Sequence, residues 1–209
     1  MEAEMSRRIV LQEFITLDGI MQAPGGSKED EAEGFRYGGW TAPFADIGFK
    51  EGEEFMKRWM ESTDILLGQK TFKIFAGYWP KHEDSWPGIN DVTKYVVSTT
   101  MSQSDVDASG WDNSVLLSNV EDIKKLKESD GDVIKVHGSG NLAQTLLKHD
   151  LVDEMFLMTF PITLGTGKRL FGEGVIPAAF KLTDSLITSN GVIFAYYRRN
   201  GDVKTGEIG

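Results

Sequence analysis

Hydrophobic runs that end at small or hydroxyl residues recur along the chain and predict several strands of one sheet. The run from Arg7 to Gly19 is apolar and β-branched and ends in Asp-Gly, which predicts a largely buried first strand. The later runs DILLG, KYVV and DVIKVH also lead into glycine or hydroxyl residues. Because the carboxyl ends of parallel strands share one edge of a sheet, we expect a binding crevice at that edge.

Other patterns predict helices between these strands and an antiparallel end to the sheet. Apolar residues at helical spacing predict helices over Phe49–Glu61 and Val120–Glu128. Near the C-terminus, LVDEMFLMTFPITLG predicts a strand, and FKLTDSLITSNGVIFAYYRR predicts two strands joined by a hairpin at Ser189-Asn190-Gly191. The sequence therefore predicts an α/β fold with a mixed sheet.

The segment from Ile20 to Ile47 interrupts this alternation and is too long for a simple connection. It is rich in glycine and charge, and long segments of this kind in compact domains are usually functional lids or disordered. We interpret its acidic run at Lys28–Gly34 as a solvated face. An ordered lid is favoured by its aromatic residues, Phe35, Tyr37, Trp40 and Phe44.

Composition narrows the class of protein. A length of 209 residues suits one domain over residues 1–209, and the net charge of -10 opposes binding to nucleic acid. No apolar run is long enough to span a membrane, and the first residues lack the features of a signal peptide, so we expect a cytoplasmic protein without a membrane partner. The absence of cysteine excludes disulfides and thiolate chemistry.

The turn in KVHGSGNLAQTLL joins a strand to a helix and has two interpretations. Gly138, Gly140 and Ala143 satisfy G-x-G-x-x-A, and backbone amides at such a helix start can hold a pyrophosphate without any lysine. A close strand-to-helix corner would need the same small residues. The acidic ribose ligand of the two-half dinucleotide-binding fold is missing from its usual place, which argues against that fold.

Histidines and aromatic residues give weaker signals. The three histidines are scattered without the spacing of a metal site, so we expect no bound metal: His82, His137 and His149. One aromatic cluster could face a planar substrate or pack in the core: Phe72, Phe75, Trp79 and Trp86.

Four motifs, taken in order and spacing, resemble the dihydrofolate reductase-like family that includes the RibD C-terminal domain of riboflavin biosynthesis. They are FITLDGIM, LLGQKTF, VVSTT and VHGSGNLAQTLLKHDLVDEMFLMTFPITLGTGKRLF, and together they cover nearly the whole chain. The resemblance implies a three-layer fold in which a mixed, mostly parallel sheet is flanked by helices. It also implies NADPH bound across the strand ends and no protein-bound metal.

The resemblance assigns roles to individual residues. Its pyrophosphate turn falls on Gly138, Ser139, Gly140, Asn141 and Leu142. Its contacts with the adenosine phosphates fall on Gly68, Gln69, Lys70 and Thr71, and its hydroxyl-bearing strand end falls on Ser98, Thr99 and Thr100. Asp18, Gly19 and Ile20 match the motif that borders the nicotinamide, where Asp18 is the candidate proton donor and a plain turn residue is the alternative. The family commonly has arginine where this chain has Gln69, which weakens the expected preference for NADPH over NADH.

The expected function is an NADPH-dependent reductase that transfers hydride to a small heterocycle of the pteridine, folate or ribosylamino-pyrimidine type. A non-catalytic nucleotide-binding protein, regulatory or scaffolding, is the alternative. The family resemblance and the apolar late strands predict a homodimer.

Overall fold

The computed structural model describes residues 6–208, which form one eight-stranded sheet with helices on both faces. The strands are β1 (Ile9–Thr16), β2 (Asp64–Gly68), β3 (Lys94–Val97), β4 (Ser114–Leu117), β5 (Ile134–His137), β6 (Glu154–Phe160), β7 (Phe180–Ile187) and β8 (Ile193–Arg199). The helices are α1 (Ala42–Glu51), α2 (Glu53–Met60), α3 (Gln69–Tyr78), α4 (Gln103–Asp107), α5 (Val120–Glu128) and α6 (Gly140–Lys148). Short 3-10 turns lie at Ala32–Gly34, Trp79–Lys81 and Glu83–Ser85.

The sheet is mixed, as the sequence predicts. Its strand order is β4-β3-β2-β5-β1-β6-β8-β7, and the pairs from β4 to β6 are parallel, whereas β8 pairs antiparallel with β6 and β7. The predicted hairpin is confirmed at the last turn, where Gly191 has a positive φ of 84° and its N–H donates to Thr188 O at 2.9 Å.

Alternating residues of β1 face two different cores. Ile9, Leu11 and Ile15 pack beneath α5 and α6, whereas Val10 and Phe14 lie in the cluster that α2 covers on the other face. A third cluster holds β2 and β3 against α3 through Phe72 and the buried Trp86. The aromatic residues therefore concentrate on the face of α2 and α3.

The local predictions differ from the structure where tertiary contacts intervene. The single helix predicted over Phe49–Glu61 is two helices, α1 and α2, that meet at Gly52, where a Cβ atom would collide with the Phe194 ring. Helix α5 has the predicted bounds. The sequence does not predict β4, a short, partly exposed edge strand without a clear apolar alternation. It also does not predict α4, which has only five residues. Within residues 6–208, no helix is both long and apolar enough to cross a membrane.

The connections of β2 and β5 open a crevice between these two neighbouring strands. Helix α3 leads from β2 toward β3, and α6 leads from β5 in the opposite direction toward β6. Ligands of open α/β sheets bind where the strand order reverses in this way, at the carboxyl ends of the strands. Strand β5 ends at His137, opposite Gln12, so the edge of β1 beyond Gln12 is open on that side.

Candidate active-site cleft

The crevice is a cavity of about 850 Å³, within the size range of small-molecule sites. Its lining comes from the middle of β1, the carboxyl ends of β2, β3 and β5, the starts of α3 and α6, the end of α2, and the loop after α3. The segment predicted as a lid, Ile20 to Ile47, ends in the first residues of α1, which begins at Ala42. Its irregular part, residues 20–41, borders the cavity through Met21, Gln22 and Asp30, and we call this part the lid. Phe35 and Trp40 of the lid are buried, so this part packs against the fold, and its closure over a ligand stays a prediction.

The Gly-Ser-Gly turn links the two helix starts that flank the cavity. Ser139 adopts a left-handed conformation, with φ 68° and ψ 69°. Its Oγ accepts the Gly68 N–H at 2.8 Å and donates to Thr71 Oγ1 at 2.6 Å. A Cβ at Gly68 would lie 2.8 Å from Ser139 Oγ, so that position requires glycine. The turn is thus a tight corner, and the backbone amides that begin α6 remain beside the cavity.

A second hydrogen-bonded group joins two segments that the resemblance assigned to the adenosine end. Gln69 Oε1 accepts hydrogen bonds from Ser98 Oγ at 2.7 Å and Thr100 Oγ1 at 2.8 Å. Ser98 Oγ in turn accepts the N–H groups of Thr100 and Met101, both at 3.1 Å. Gln69 therefore acts here as an acceptor, a role that arginine cannot perform.

Most of the residues named from sequence line this one cavity. They are Gly68, Gln69, Lys70, Thr71, Ser98, Thr99, Gly138, Ser139, Gly140, Asn141 and Leu142. Four others lie outside the lining: Asp18, Gly19, Ile20 and Thr100. Thr100 remains connected to the site through Gln69. Asp18 and Gly19 lie in the turn that follows β1, and Ile20 is the first residue of the lid.

Asp18 fixes a loop in the structure, and its predicted role as proton donor stays a prediction. Its carboxylate accepts hydrogen bonds from Thr16 Oγ1 at 2.5 Å, Leu164 N at 3.2 Å and Gly165 N at 2.8 Å. Burial acts to raise the pKa of Asp18, but these hydrogen bonds outweigh it and lower the pKa below its usual range. A carboxyl group with a lowered pKa is ionised at neutral pH, and these hydrogen bonds stabilise that form.

Ile20 is buried in the core, and the residues that follow it reach the cavity. The Ile20 side chain is fully buried in the cluster on the α2 face, while Met21 and Gln22 line the cavity. Gln22 Nε2 donates to the backbone oxygen of Asp30 at 3.1 Å, and its Oε1 accepts from Lys168 N at 3.0 Å. Met21 and Gln22 therefore line the cavity, whereas Ile20, the residue named from sequence, does not.

Three charged residues at the mouth of the cavity form a bridge between distant segments. Asp30 Oδ1 lies 2.5 Å from Lys70 Nζ of α3, and Asp30 Oδ2 lies 2.7 Å from Lys168 Nζ. Burial acts to raise the pKa of Asp30, but the hydrogen bonds from Lys168 and Lys70 lower it to about 2. The acidic run was interpreted from sequence as a solvated face, which is wrong for Asp30, whose side chain is only 12% exposed.

The inner part of the cavity has aromatic walls. The centroid of the His137 ring lies 4.9 Å from that of Trp86 and 5.8 Å from that of Trp59. Phe75 and Trp79 extend this wall, since the Trp79 and Trp86 centroids are 5.0 Å apart. Of the aromatic cluster named from sequence, Phe72 alone is a pure core residue, and the other three line the cavity.

Buried polar atoms without a hydrogen-bond partner among residues 6–208 gather at the same place. They are Gln12 Oε1, Glu13 Oε1, Trp86 Nε1 and His137 Nε2, and all four residues line the cavity. We call these four side chains the floor. Burial lowers the pKa of His137 to about 3, and Lys135 adds to this effect. Burial raises the pKa of Glu13 well above its usual range.

Sequence reasoning missed Gln12 and Glu13, although a signal was present. The pair interrupts the apolar run IVLQEFIT of β1 with two polar residues, both of which are buried. Buried polar groups normally have partners, so four unpaired atoms in residues of one cavity wall mark an unusual polar region beside the cavity. No group of three potential metal ligands was found in the part of the chain that the structure describes.

The chain is similar to one protein family, to two proteins of Bacillus subtilis and to one solved structure. The family model of the RibD C-terminal domain matches residues 7–194. The chain is 30% identical over 202 residues to the uncharacterized protein YyaP of Bacillus subtilis strain 168, covering 93% of this chain and 96% of that protein. It is 26% identical over 179 residues to the uncharacterized protein YwjB of the same organism, covering 81% and 85%. A crystal structure from Shewanella sp. PV-4, provisionally described as a riboflavin biosynthesis protein, superposes with a TM-score of 0.63 at 22% identity, covering 92% of this chain and 99% of that one.

Proposed function

The chain belongs to the RibD C-terminal domain family, and from that premise we propose that it is an NADPH-dependent reductase of a planar heterocycle. Membership of the family suggests a reductase of the riboflavin-pathway type. The acceptor that we propose is a pteridine, a folate or a ribosylamino-pyrimidine. One observation carries the proposal: a single cavity joins two helix starts suited to phosphates with an aromatic floor that has four unpaired polar atoms.

The residues at the outer half of the cavity fit a dinucleotide. The backbone amides at the start of α6, beside Gly138 and Gly140, favour negative charge without a side chain. Lys70 and Lys168 are cations at the same opening and would exchange Asp30 for phosphate oxygens. Hydroxyls of Ser98 and Thr99 lie at the end of β3, where the resemblance places the adenosine end. When bound, the cofactor supplies the hydride of its reduced nicotinamide ring.

The floor fits an uncharged ring with both donors and acceptors on its edge. Gln12 Oε1 accepts, Trp86 Nε1 donates, and the neutral His137 ring has one nitrogen of either kind. Trp59, Phe75 and Trp79 offer faces and edges against which a planar ligand can stack. The lid closes the opposite side and excludes water from the reacting groups.

The test is NADPH oxidation by purified protein with a panel of acceptors: 7,8-dihydrofolate, 7,8-dihydrobiopterin, flavins and the ribosylamino-uracil intermediate of riboflavin synthesis. We expect oxidation that depends on one acceptor class. Quenching of tryptophan fluorescence by NADPH, without oxidation in the presence of any acceptor, would favour the non-catalytic binding protein instead. Absence of both signals would remove the cofactor from the proposal.

A further inference from the structure

Glu13 is a carboxyl group on an otherwise apolar face of the sheet. Successive side chains of a strand point to opposite faces, so Glu13 shares its face with Ile9, Leu11 and Ile15 beneath α5 and α6. Across the pairing with β6, its neighbour is the buried Leu157. Glu13 therefore has apolar residues along its own strand and in the adjacent strand.

Nothing in residues 6–208 pairs with Glu13 Oε1. The residue is 4% exposed, and burial raises the pKa of its carboxyl group well above the usual range. An ionised carboxylate without a partner in such surroundings is far less stable than the neutral acid. The neutral acid keeps one O–H donor that the protein itself does not use.

The topology opens this buried group to the cavity. Strand β5 ends at His137, opposite Gln12, so β1 has no neighbour on that side from Glu13 onward. Gln12 and Glu13 point to opposite faces of β1, yet both line the cavity, because the cavity enters the gap left by the end of β5. The side chains of Gln12 and Glu13 therefore both border the cavity, although Gln12 Oε1 and Glu13 Oε1 are themselves buried.

We infer that Glu13 is the catalytic acid that protonates the substrate during its reduction. The inference rests on the proposed function and adds a named residue to it. The O–H bond of the Glu13 carboxyl breaks as an N–H bond forms on the nitrogen of a C=N group in the heterocycle. The carbon of that group receives a hydride from the reductant, a reduced nicotinamide dinucleotide, which becomes oxidised. Glu13 is left as a carboxylate and regains its proton from water when the product leaves.

The other titratable side chains of the cavity are less suited to donate a proton than Glu13. His137 is neutral above about pH 3, and Asp30 is ionised above about pH 2, so neither offers a proton near neutral pH. The remaining titratable side chains of the lining are Glu29 on the lid, Lys70 and Lys73 on α3, and Lys168 after β6. All of these are separate in sequence from the β1 edge, and Lys70 and Lys168 are paired with Asp30.

The protonation of Glu13 can be measured without any substrate. An acid whose pKa is higher in the folded than in the unfolded protein binds more protons when folded, so stability falls as pH rises from about 4.3 toward the folded pKa. Glu13→Gln has no such proton, so its Tm should exceed the wild-type Tm by a margin that grows over this interval. Asp18→Asn is the matched control with the opposite sign: its Tm deficit should be present at neutral pH and should vanish in acid.

The catalytic role needs kinetics with the best acceptor of the panel. Glu13→Gln should lower kcat by about 100-fold or more, the usual contribution of a general acid, while NADPH affinity measured by tryptophan quenching is unchanged. Wild-type kcat should fall as pH rises through the pKa found from the Tm series, and the variant should lack that fall. If Glu13→Gln does not fold, Glu13→Leu, which suits the apolar face, takes its place.

The outcomes separate this inference from the proposed function. Wild type that reduces an acceptor while Glu13→Gln retains full kcat would overturn the inference and leave the reductase standing. A Tm difference that does not change with pH would also overturn it, since Glu13 would then not be held protonated. Wild type that reduces no acceptor would overturn the proposed function, and the catalytic role of Glu13 with it, even if the Tm series had the expected shape.

Discussion

At the mouth of the cavity Asp30 pairs with Lys70 at 2.5 Å and with Lys168 at 2.7 Å, whereas the floor has four buried polar atoms without partners among residues 6–208. At the mouth one carboxylate is paired with two lysines, which leaves one positive charge in excess. The four floor atoms have no such partners. A ligand at the mouth must displace an existing partner, so binding there is an exchange, while a ligand at the floor supplies partners that folding left out. Removing a charge at the mouth should therefore strengthen ligand binding, whereas removing a polar group at the floor should weaken it.

The largest effect is expected at the floor, from Trp86→Phe. The variant keeps an aromatic ring but removes Nε1–H, a buried donor that the protein leaves unpaired. Acceptor affinity should fall about 10-fold or more, since a hydrogen bond in a dry site contributes on the order of 1–3 kcal/mol. The Tm should fall, because Trp86 is almost fully buried and the smaller Phe ring leaves a cavity in the core. The KM for the acceptor measures the effect on binding, and a folded variant that keeps its KM would contradict the comparison.

A carboxylate at the start of α6 should weaken cofactor binding. Gly140→Asp places negative charge beside the amides that favour phosphate, and we expect NADPH affinity to fall by about 10-fold. Gly140→Ala is the matched control, because its Cβ would lie 3.6 Å from Met21 Sδ, an ordinary contact. Calorimetric titration of both variants is the measurement. Equal losses in the two variants would assign the effect to shape rather than to charge.

Freeing Lys70 and Lys168 from their partner at the mouth should strengthen NADPH binding. Asp30→Asn removes the charge that holds Lys70 and Lys168 and should raise NADPH affinity by about 3-fold, while the lid loses its anchor and the Tm falls. The gain should shrink as salt rises, because exposed charges are screened over about 10 Å at 0.1 M ionic strength. Titrations at two salt concentrations measure it. An affinity that falls in proportion to stability would show that the ion pairs build the cofactor site rather than compete for it.

The smallest effect is expected for Gln69→Arg. The guanidinium would add a charged fork for the 2′-phosphate, with a gain on the order of 1 kcal/mol for NADPH and little change for NADH. The structure reduces this expectation, since Arg cannot accept the hydrogen bonds that Gln69 Oε1 receives from Ser98 and Thr100. We therefore expect the ratio of NADPH to NADH affinity to rise by less than about 2-fold. An unchanged ratio would place Gln69 away from the 2′-phosphate.

Local patterns predicted the outer half of the cavity better than the inner half. The Gly138 turn, the helix start at Gln69 and the strand end at Ser98 carry their signals in a few adjacent residues. The pairing of Asp30 with Lys168 joins positions 138 residues apart, and nothing in either local sequence indicates it. Asp18 was a candidate by its place after β1, but its pKa depends on the distant N–H groups of Leu164 and Gly165.

Glu13 was not recognised as a site residue from the sequence, for a different reason. Its polar character within an apolar strand was visible in the sequence, but strand alternation alone places Gln12 and Glu13 on opposite faces and gives no reason to join them. They meet one cavity only because β5 stops at His137. Where β5 ends depends on tertiary structure, and the position of Glu13 at the cavity depends on that end.

The most direct test of the account follows the hydride itself. NADPH carrying deuterium at the transferred position of the nicotinamide is incubated with wild-type protein and the acceptor panel, and the reduced heterocycle is analysed by mass spectrometry. The account predicts a product one mass unit heavier than with ordinary NADPH for wild type, and strongly reduced product formation for Glu13→Gln. Reduced product without deuterium, or no product from any acceptor while NADPH still binds, would contradict hydride transfer to a heterocycle in this cavity.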